Sequence, residues 1–158
     1  MPGRWVPGAV TTRRQRTIAA PPEVVWELVA DPHHQPRWWP GVERMEAVDA
    51  VGGGRFTQVL RSRRGRPVRA DFTIVELEAP VRAAWEQELA GSPFARVLER
   101  SLVRLELTPQ ARSTRVAIAH EQTLRGTSRT GGFMLRRATA RRLDEALGGL
   151  AVICEPAS

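Results

Sequence analysis

The chain has 158 residues and a formal net charge of +7; its 24 basic residues are all arginine, tyrosine is absent, and Cys154 is the single cysteine. That length suits one domain with a core and room for a cavity. The lone cysteine excludes an internal disulfide, no apolar run reaches membrane-spanning length, and Met1 to Val6 lacks a signal peptide's apolar segment, so the expected compartment is the reducing cytoplasm.

Residues 1–10 are expected to be loosely held, with one domain over 11–154. A β-leaning run ends at Ile18, and a helix opens on Pro21 and Pro22, where the missing N–H of proline costs nothing. Val25, Leu28 and Val29 fall at i, i+3 and i+4 and form its apolar face. Asp31-Pro32 stops it, because proline drives its predecessor out of the α region. A very short second helix or turn then presents Arg37-Trp38-Trp39 ahead of Pro40-Gly41. Beside Arg37 and Pro40 the two indoles are not both expected to be buried, which leaves one facing a cavity mouth.

Strand-like runs follow, separated by turns at Gly52-Gly53-Gly54, Arg64-Gly65-Arg66, Ala79-Pro80 and Thr108-Pro109-Gln110. Three alternate cleanly with period two. Their inward sets are Ala83, Trp85, Gln87 and Leu89, then Val103, Leu105 and Leu107, then Val116, Ile118, His120, Gln122 and Leu124. This pattern predicts an antiparallel sheet with one wet face. Two earlier runs, 55–62 and 67–78, read less cleanly. Phe56, Leu60, Val68, Ala70, Phe72 and Ile74 form the inward set, while Val59, Val75 and Leu77 have the opposite parity; a bulge or a strand covered on both faces would explain that. Residues 92–99 are a loop or one helical turn near the mouth of a pocket. The run 130–153 is the one long helix, its stripe formed by Leu135, Ala138, Leu143, Ala146, Leu147, Leu150 and Ile153, with a bend or fraying expected at Gly148-Gly149.

The segment Ile18 to Trp26, then Asp31-Pro32, then Trp38-Trp39-Pro40-Gly41-Val42, together with Glu76 to Pro80, Trp85 and the exit at Leu124-Arg125-Gly126, resembles the START-like superfamily, also called SRPBCC or polyketide cyclase/dehydrase-like. The resemblance spans roughly residues 11 to 153. It implies an α+β helix-grip fold: a curved antiparallel sheet of about seven strands around a long C-terminal helix, with two short helices after strand 1. It is specific for fold and weak for chemistry, since the superfamily includes carriers, sensors, cyclases and chaperone activators.

Buried polar groups need partners, water or a ligand, so inward Gln87, His120 and Gln122 either bond one another and nearby backbone or line a cavity. Trp38, Trp39, Phe72, Trp85 and Phe133 would supply apolar walls alongside Val103, Leu105 and Ile118; Trp26 and Phe94 are further candidates. His120 is the best general acid/base candidate, as the cavity-facing group expected to titrate near neutrality. Aromatase/cyclases of the superfamily polarise carbonyls with an arginine and hydroxyl groups; Arg61 and Arg69 lie on the strands of mixed parity, and no catalytic role is carried onto them. His33, His34, His120 and Cys154 lack ligand spacing and the triple glycine lacks a nucleotide-loop pattern, so no metal or cofactor is expected.

Two readings of the arginines stand side by side. Coding bias in a GC-rich genome would scatter them over solvated faces, and this reading is favoured. A functional surface would take an anionic partner: nucleic acid, acidic lipid or an acyl carrier protein. The expected function is binding of a small hydrophobic ligand, of lipid, polyketide or isoprenoid type, with no membrane insertion. The alternative is a polyketide cyclase/aromatase or dehydrase using the same cavity, and behind it an arginine-rich regulatory or nucleic-acid-binding module. The ligand's identity and the oligomeric state are not legible in the chain.

Overall fold

A computed structural model describes residues 8–126 and 129–157. Strand β1 (Ala9–Ile18) leads into α1 (Pro22–Ala30), a 3₁₀ turn (Pro32–His34) and α2 (Gln35–Trp38); six strands follow, β2 (Val42–Glu46), β3 (Arg55–Arg61), β4 (Pro67–Glu78), β5 (Arg82–Glu88), β6 (Leu98–Pro109) and β7 (Thr114–Leu124), and α3 (Arg129–Cys154) closes the fold. The seven strands form one sheet in the order β1-β7-β6-β5-β4-β3-β2, and every neighbouring pair is antiparallel. This is the helix-grip fold. The chain starts at one edge, crosses through α1 and α2 to the other, and returns strand by strand before α3 packs on β1 and α2. Ala9 and Val10 already belong to β1, although residues 1–10 were expected to be loosely held; residues 1–7 lie outside the described residues.

The core explains why these elements stay together. Val25, Leu28 and Val29 of α1 bury the face their spacing defines, and Leu143, Ala146, Leu147, Leu150, Ala151 and Cys154 do so for α3. At its N-terminal end the α3 stripe departs from expectation, because Thr139 is buried and Ala138 exposed. The buried row is phased on 139, 143, 146, 150, a regular i, i+4, i+7 progression that counting apolar residues alone misplaces.

The expected fraying at Gly148-Gly149 does not occur; α3 runs as one helix through both glycines to Cys154. Gly149 instead permits a close approach. A Cβ there would stand 3.0 Å from the Trp38 carbonyl oxygen and 3.1 Å from its Cα, whereas a Cβ at Gly148 would meet only the Arg16 guanidinium, at 3.8 Å. The glycine that weakens the helix locally is what lets α2 and α3 touch.

The two strands of mixed parity have different causes. In β4 the register slips between Ile74 and Glu76, leaving Val75 exposed and returning Leu77 to the core side opposite Ala83. In β3 no bulge is needed. Val59 is fully buried on the outer face between its neighbours Arg44 and Arg69, whose heads both bind Glu46, with Arg69 Nε to Glu46 Oε1 at 2.8 Å. The aliphatic stems of the two arginines cover the valine while their charges stay wet.

Candidate functional site

Register places the inward side chains in transverse rows. One row runs Thr12, His120, Val103, Trp85, Ile74 across β1, β7, β6, β5 and β4. The next runs Val10, Gln122, Ser101 across β1, β7 and β6, and continues on the far strands as Gln87, Phe72, Phe56. Between these rows and α3 lies a cavity of about 100 Å³. Its apolar side is built from Trp39, Phe72, Trp85, Val103, Phe94 and Leu98, its polar side from Gln87, Ser101, His120, Gln122 and Arg142, and Gln58, Leu60 and Ala70 complete the wall. Leu60, Phe94 and Arg142 keep solvent-accessible surface and frame the opening.

Aromatic packing fixes the apolar wall. Phe56 stacks on Phe72 at 5.1 Å, and Trp85 meets Phe56, Trp38 and Trp39 at 5.6, 6.1 and 5.9 Å between ring centroids. Edge-to-face contacts of this kind add to the area term. They also let both Trp38 and Trp39 be buried, against the expectation that the two indoles would not be buried together: the two rings meet at 88°, with 3 % and 6 % exposure. Trp39 lines the cavity, while Trp38 lies in the core with its Nε1 lacking a protein partner.

The polar groups are held unequally. Ser101 Oγ and His120 Nε2 are 2.8 Å apart, and Thr139 Oγ1 on α3 donates to Gln122 Oε1 at 3.0 Å. Gln58 Nε2 donates to Gln35 Oε1 at 2.7 Å beneath the floor. Gln87 and Arg142 have no side-chain hydrogen bond or ion pair among the described residues. Burial, with the positive charge of Arg142 adding to it, pushes the His120 imidazole down to about 4. Burial also lowers the Arg142 guanidinium from its ordinary value, with Glu145 opposing; it remains a cation at neutral pH.

Of the residues expected in the site, Trp39, Phe72, Trp85, Gln87, Val103, His120 and Gln122 come together around the cavity. Leu105 and Ile118 lie in the core with Trp38 and do not line it. Phe133 is corrected outright: at 65 % exposed it stands on the outer face of α3, since the buried phase of that helix begins at Thr139. His120 does not titrate near neutrality as expected, because its position is too dry. Arg61 and Arg69 both point outward, to Glu43 and Glu46, and the arginine at the cavity comes from α3 instead.

Two of the missed residues carried a usable signal. Gln58 shares the inward parity of Phe56 and Leu60, and Ser101 lies two residues before Val103, just outside the assumed start of that strand. Arg142 follows Thr139 by one helical turn, which becomes informative only once Thr139 is known to face inward.

A family profile described as polyketide cyclase / dehydrase and lipid transport matches residues 9–155. No curated protein matches the sequence at a significant level. Among solved structures, the chain is similar to the Zhui aromatase/cyclase from Streptomyces sp. R1128, with a TM-score of 0.73 and 18 % identity over 92 % of this chain and 93 % of that one. It is similar also to a START superfamily protein from Mycobacterium smegmatis, with a TM-score of 0.73 and 12 % identity over 91 % and 96 % of the two chains. A di-domain ARO/CYC, BexL from the BE-7585A biosynthetic pathway, matches with a TM-score of 0.77 and 14 % identity over 96 % of this chain, which spans 52 % of BexL. At such identities the likeness is one of fold.

Proposed function

The chain belongs to the polyketide cyclase/dehydrase and lipid transport family, and on that footing we propose that it binds a small hydrophobic ligand in the cavity between its sheet and α3. One observation carries the reading: a partly open cavity with an aromatic wall on one side and polar groups on the other, two of which, Gln87 and Arg142, have no side-chain hydrogen bond or ion pair among the described residues. Gln87 is half-buried and Arg142 exposed at the opening, so both are available to a molecule that enters from solvent. The free volume of about 100 Å³ is below the ~300–1,000 Å³ typical of pockets for drug-sized ligands. A short chain or a single ring therefore fits as it stands, and anything larger requires Phe94 or Leu60 at the opening to move.

The second reading is a polyketide cyclase/aromatase or dehydrase acting in the same cavity, with an acyl carrier protein as the partner that delivers its substrate. The hydrogen-bonded Ser101–His120 pair favours it. Against it, an imidazole held near 4 is a weak base at neutral pH. An arginine-rich regulatory surface is supported less well, because Arg14, Arg55, Arg61, Arg69, Arg82 and Arg104 all pair with acidic side chains. No described helix is long and apolar enough to cross a membrane, and a cytoplasmic carrier is the setting proposed.

Native mass spectrometry of freshly purified protein, followed by solvent extraction, separates the readings. A carrier retains a small apolar adduct and leaves linear poly-β-ketone mimics unchanged. Turnover of such a mimic that disappears in His120→Ala while the protein stays folded would establish the enzyme instead.

A further inference from the structure

We infer that the ligand of this cavity is an amphiphile carrying a carboxylate, and that Arg142 on α3 is the residue that selects it. The inference rests on the ligand-binding reading above and names the chemistry at one end of the ligand.

Three observations converge on it. Among the described residues no aspartate or glutamate lines the cavity, and the one formal charge in the lining is the Arg142 guanidinium. The acidic neighbours on the helix do not neutralise that charge: Asp144 is taken by Arg14 at 2.8 Å, and Glu145 acts on Arg142 only at long range, with no ion pair. The other polar side chains of the lining are the Gln58, Gln87 and Gln122 amides, the Ser101 hydroxyl and the His120 imidazole, which feels the Arg142 charge. Thr139 holds the oxygen of Gln122, which leaves the amide Nε2 to face the cavity, and the Gln87 amide has no side-chain hydrogen bond among the described residues. A cation beside amide donors, with no anion in the lining, is matched to an anionic acceptor. A carboxylate satisfies an arginine in two parallel hydrogen bonds.

The layout also sets the direction of the ligand. Arg142 lies on α3, which reaches β7 through the Thr139–Gln122 hydrogen bond, and Ser101 on β6 pairs with Gln122; Phe72 and Trp85 on β4 and β5 and Trp39 after α2 form the apolar wall. A bound molecule would place its carboxylate against α3 and its apolar part against the aromatic side. An uncharged lipid or a polyene would leave the Arg142 guanidinium, which is exposed at the opening, to water and would gain no charge-assisted contact from it.

The test compares octanoate with methyl octanoate, the same chain with and without the charge, by calorimetric titration of the full chain. Wild-type protein is expected to bind octanoate at least about tenfold more tightly than the ester, the gain of one charge-assisted contact. Arg142→Met keeps an apolar stem and removes the charge. It should erase that preference, bringing octanoate and the ester to within about twofold of each other. Arg142→Lys should retain part of it, and added salt should weaken octanoate binding but not ester binding. Equal affinities for the two probes in wild type, or a preference that survives Arg142→Met, would overturn the inference and leave the carrier reading standing. Failure of both probes to bind would remove the ligand-binding reading itself.

Discussion

Replacing His120 with glutamine removes a titrating group from the cavity while keeping a side chain that can reach Ser101, and the consequence is a change in how stability depends on pH. In the folded protein the imidazole is held at about 4; in the unfolded chain it returns to about 6.5. Above 6.5 both states carry a neutral ring and His120 imposes no penalty. As pH falls from 6.5 to 4, the unfolded state takes up a proton that the folded state refuses, so stability drops by about 1.4 kcal/mol per pH unit, to a total of about 3 kcal/mol. The glutamine variant lacks this contribution, and every other ionisable group is common to the two proteins. Urea unfolding at pH 7, 6, 5 and 4 should therefore show wild type losing about 3 kcal/mol more than the variant across the range. Equal pH slopes, or an NMR titration of His120 centred near its unfolded value, would refute the placement of His120 in a dry site beside Arg142.

Two further substitutions test the packing. Gly148→Ala should stabilise by about 0.5–1 kcal/mol through helix propensity, because its Cβ meets nothing closer than the mobile Arg16 head. Gly149→Ala gains the same propensity but presses on the Trp38 backbone at 3.0 Å, an overpacking worth about 1–3 kcal/mol, so its denaturation midpoint should fall below that of Gly148→Ala; equal midpoints would contradict the close approach of α2 to α3. Phe133→Ser, on the exposed side of α3, should stay within about 0.5 kcal/mol of wild type, whereas Phe72→Ala, which breaks the stack with Phe56, should cost about 3–5 kcal/mol; comparable losses would mean that the helix phase is wrong.

The sheet was legible because β5, β6 and β7 alternate apolar with mostly polar residues in sequence, although outward-facing Ala84, Leu102 and Ala117 are buried as well. The alternation fails at Val59 and Val75 for reasons that live between strands: arginine stems from β2 and β4 over one, a slipped register at the other. The polar half of the site was readable on the strands and unreadable on the helix. Gln87, His120 and Gln122 stand out as polar residues on an inward parity. Arg142 looks like any arginine of an arginine-rich helix, and only the buried Thr139 one turn earlier reveals the face it shares. Trp38 and Trp39 misled because the burial of two adjacent indoles requires a third ring, Trp85, supplied by a strand far along the chain.

The indole N–H signals in a two-dimensional NMR spectrum provide the most direct test that this cavity takes up an apolar ligand. Trp39 and Trp85 line the cavity, whereas Trp26 packs on the outer side of the core and does not. Titration with methyl octanoate, which probes the apolar wall without the charge, should shift the Trp39 and Trp85 signals saturably at one-to-one stoichiometry and leave Trp26 in place. Shifts confined to Trp26, or uniform drift of all signals without saturation, would contradict a ligand site between the sheet and α3.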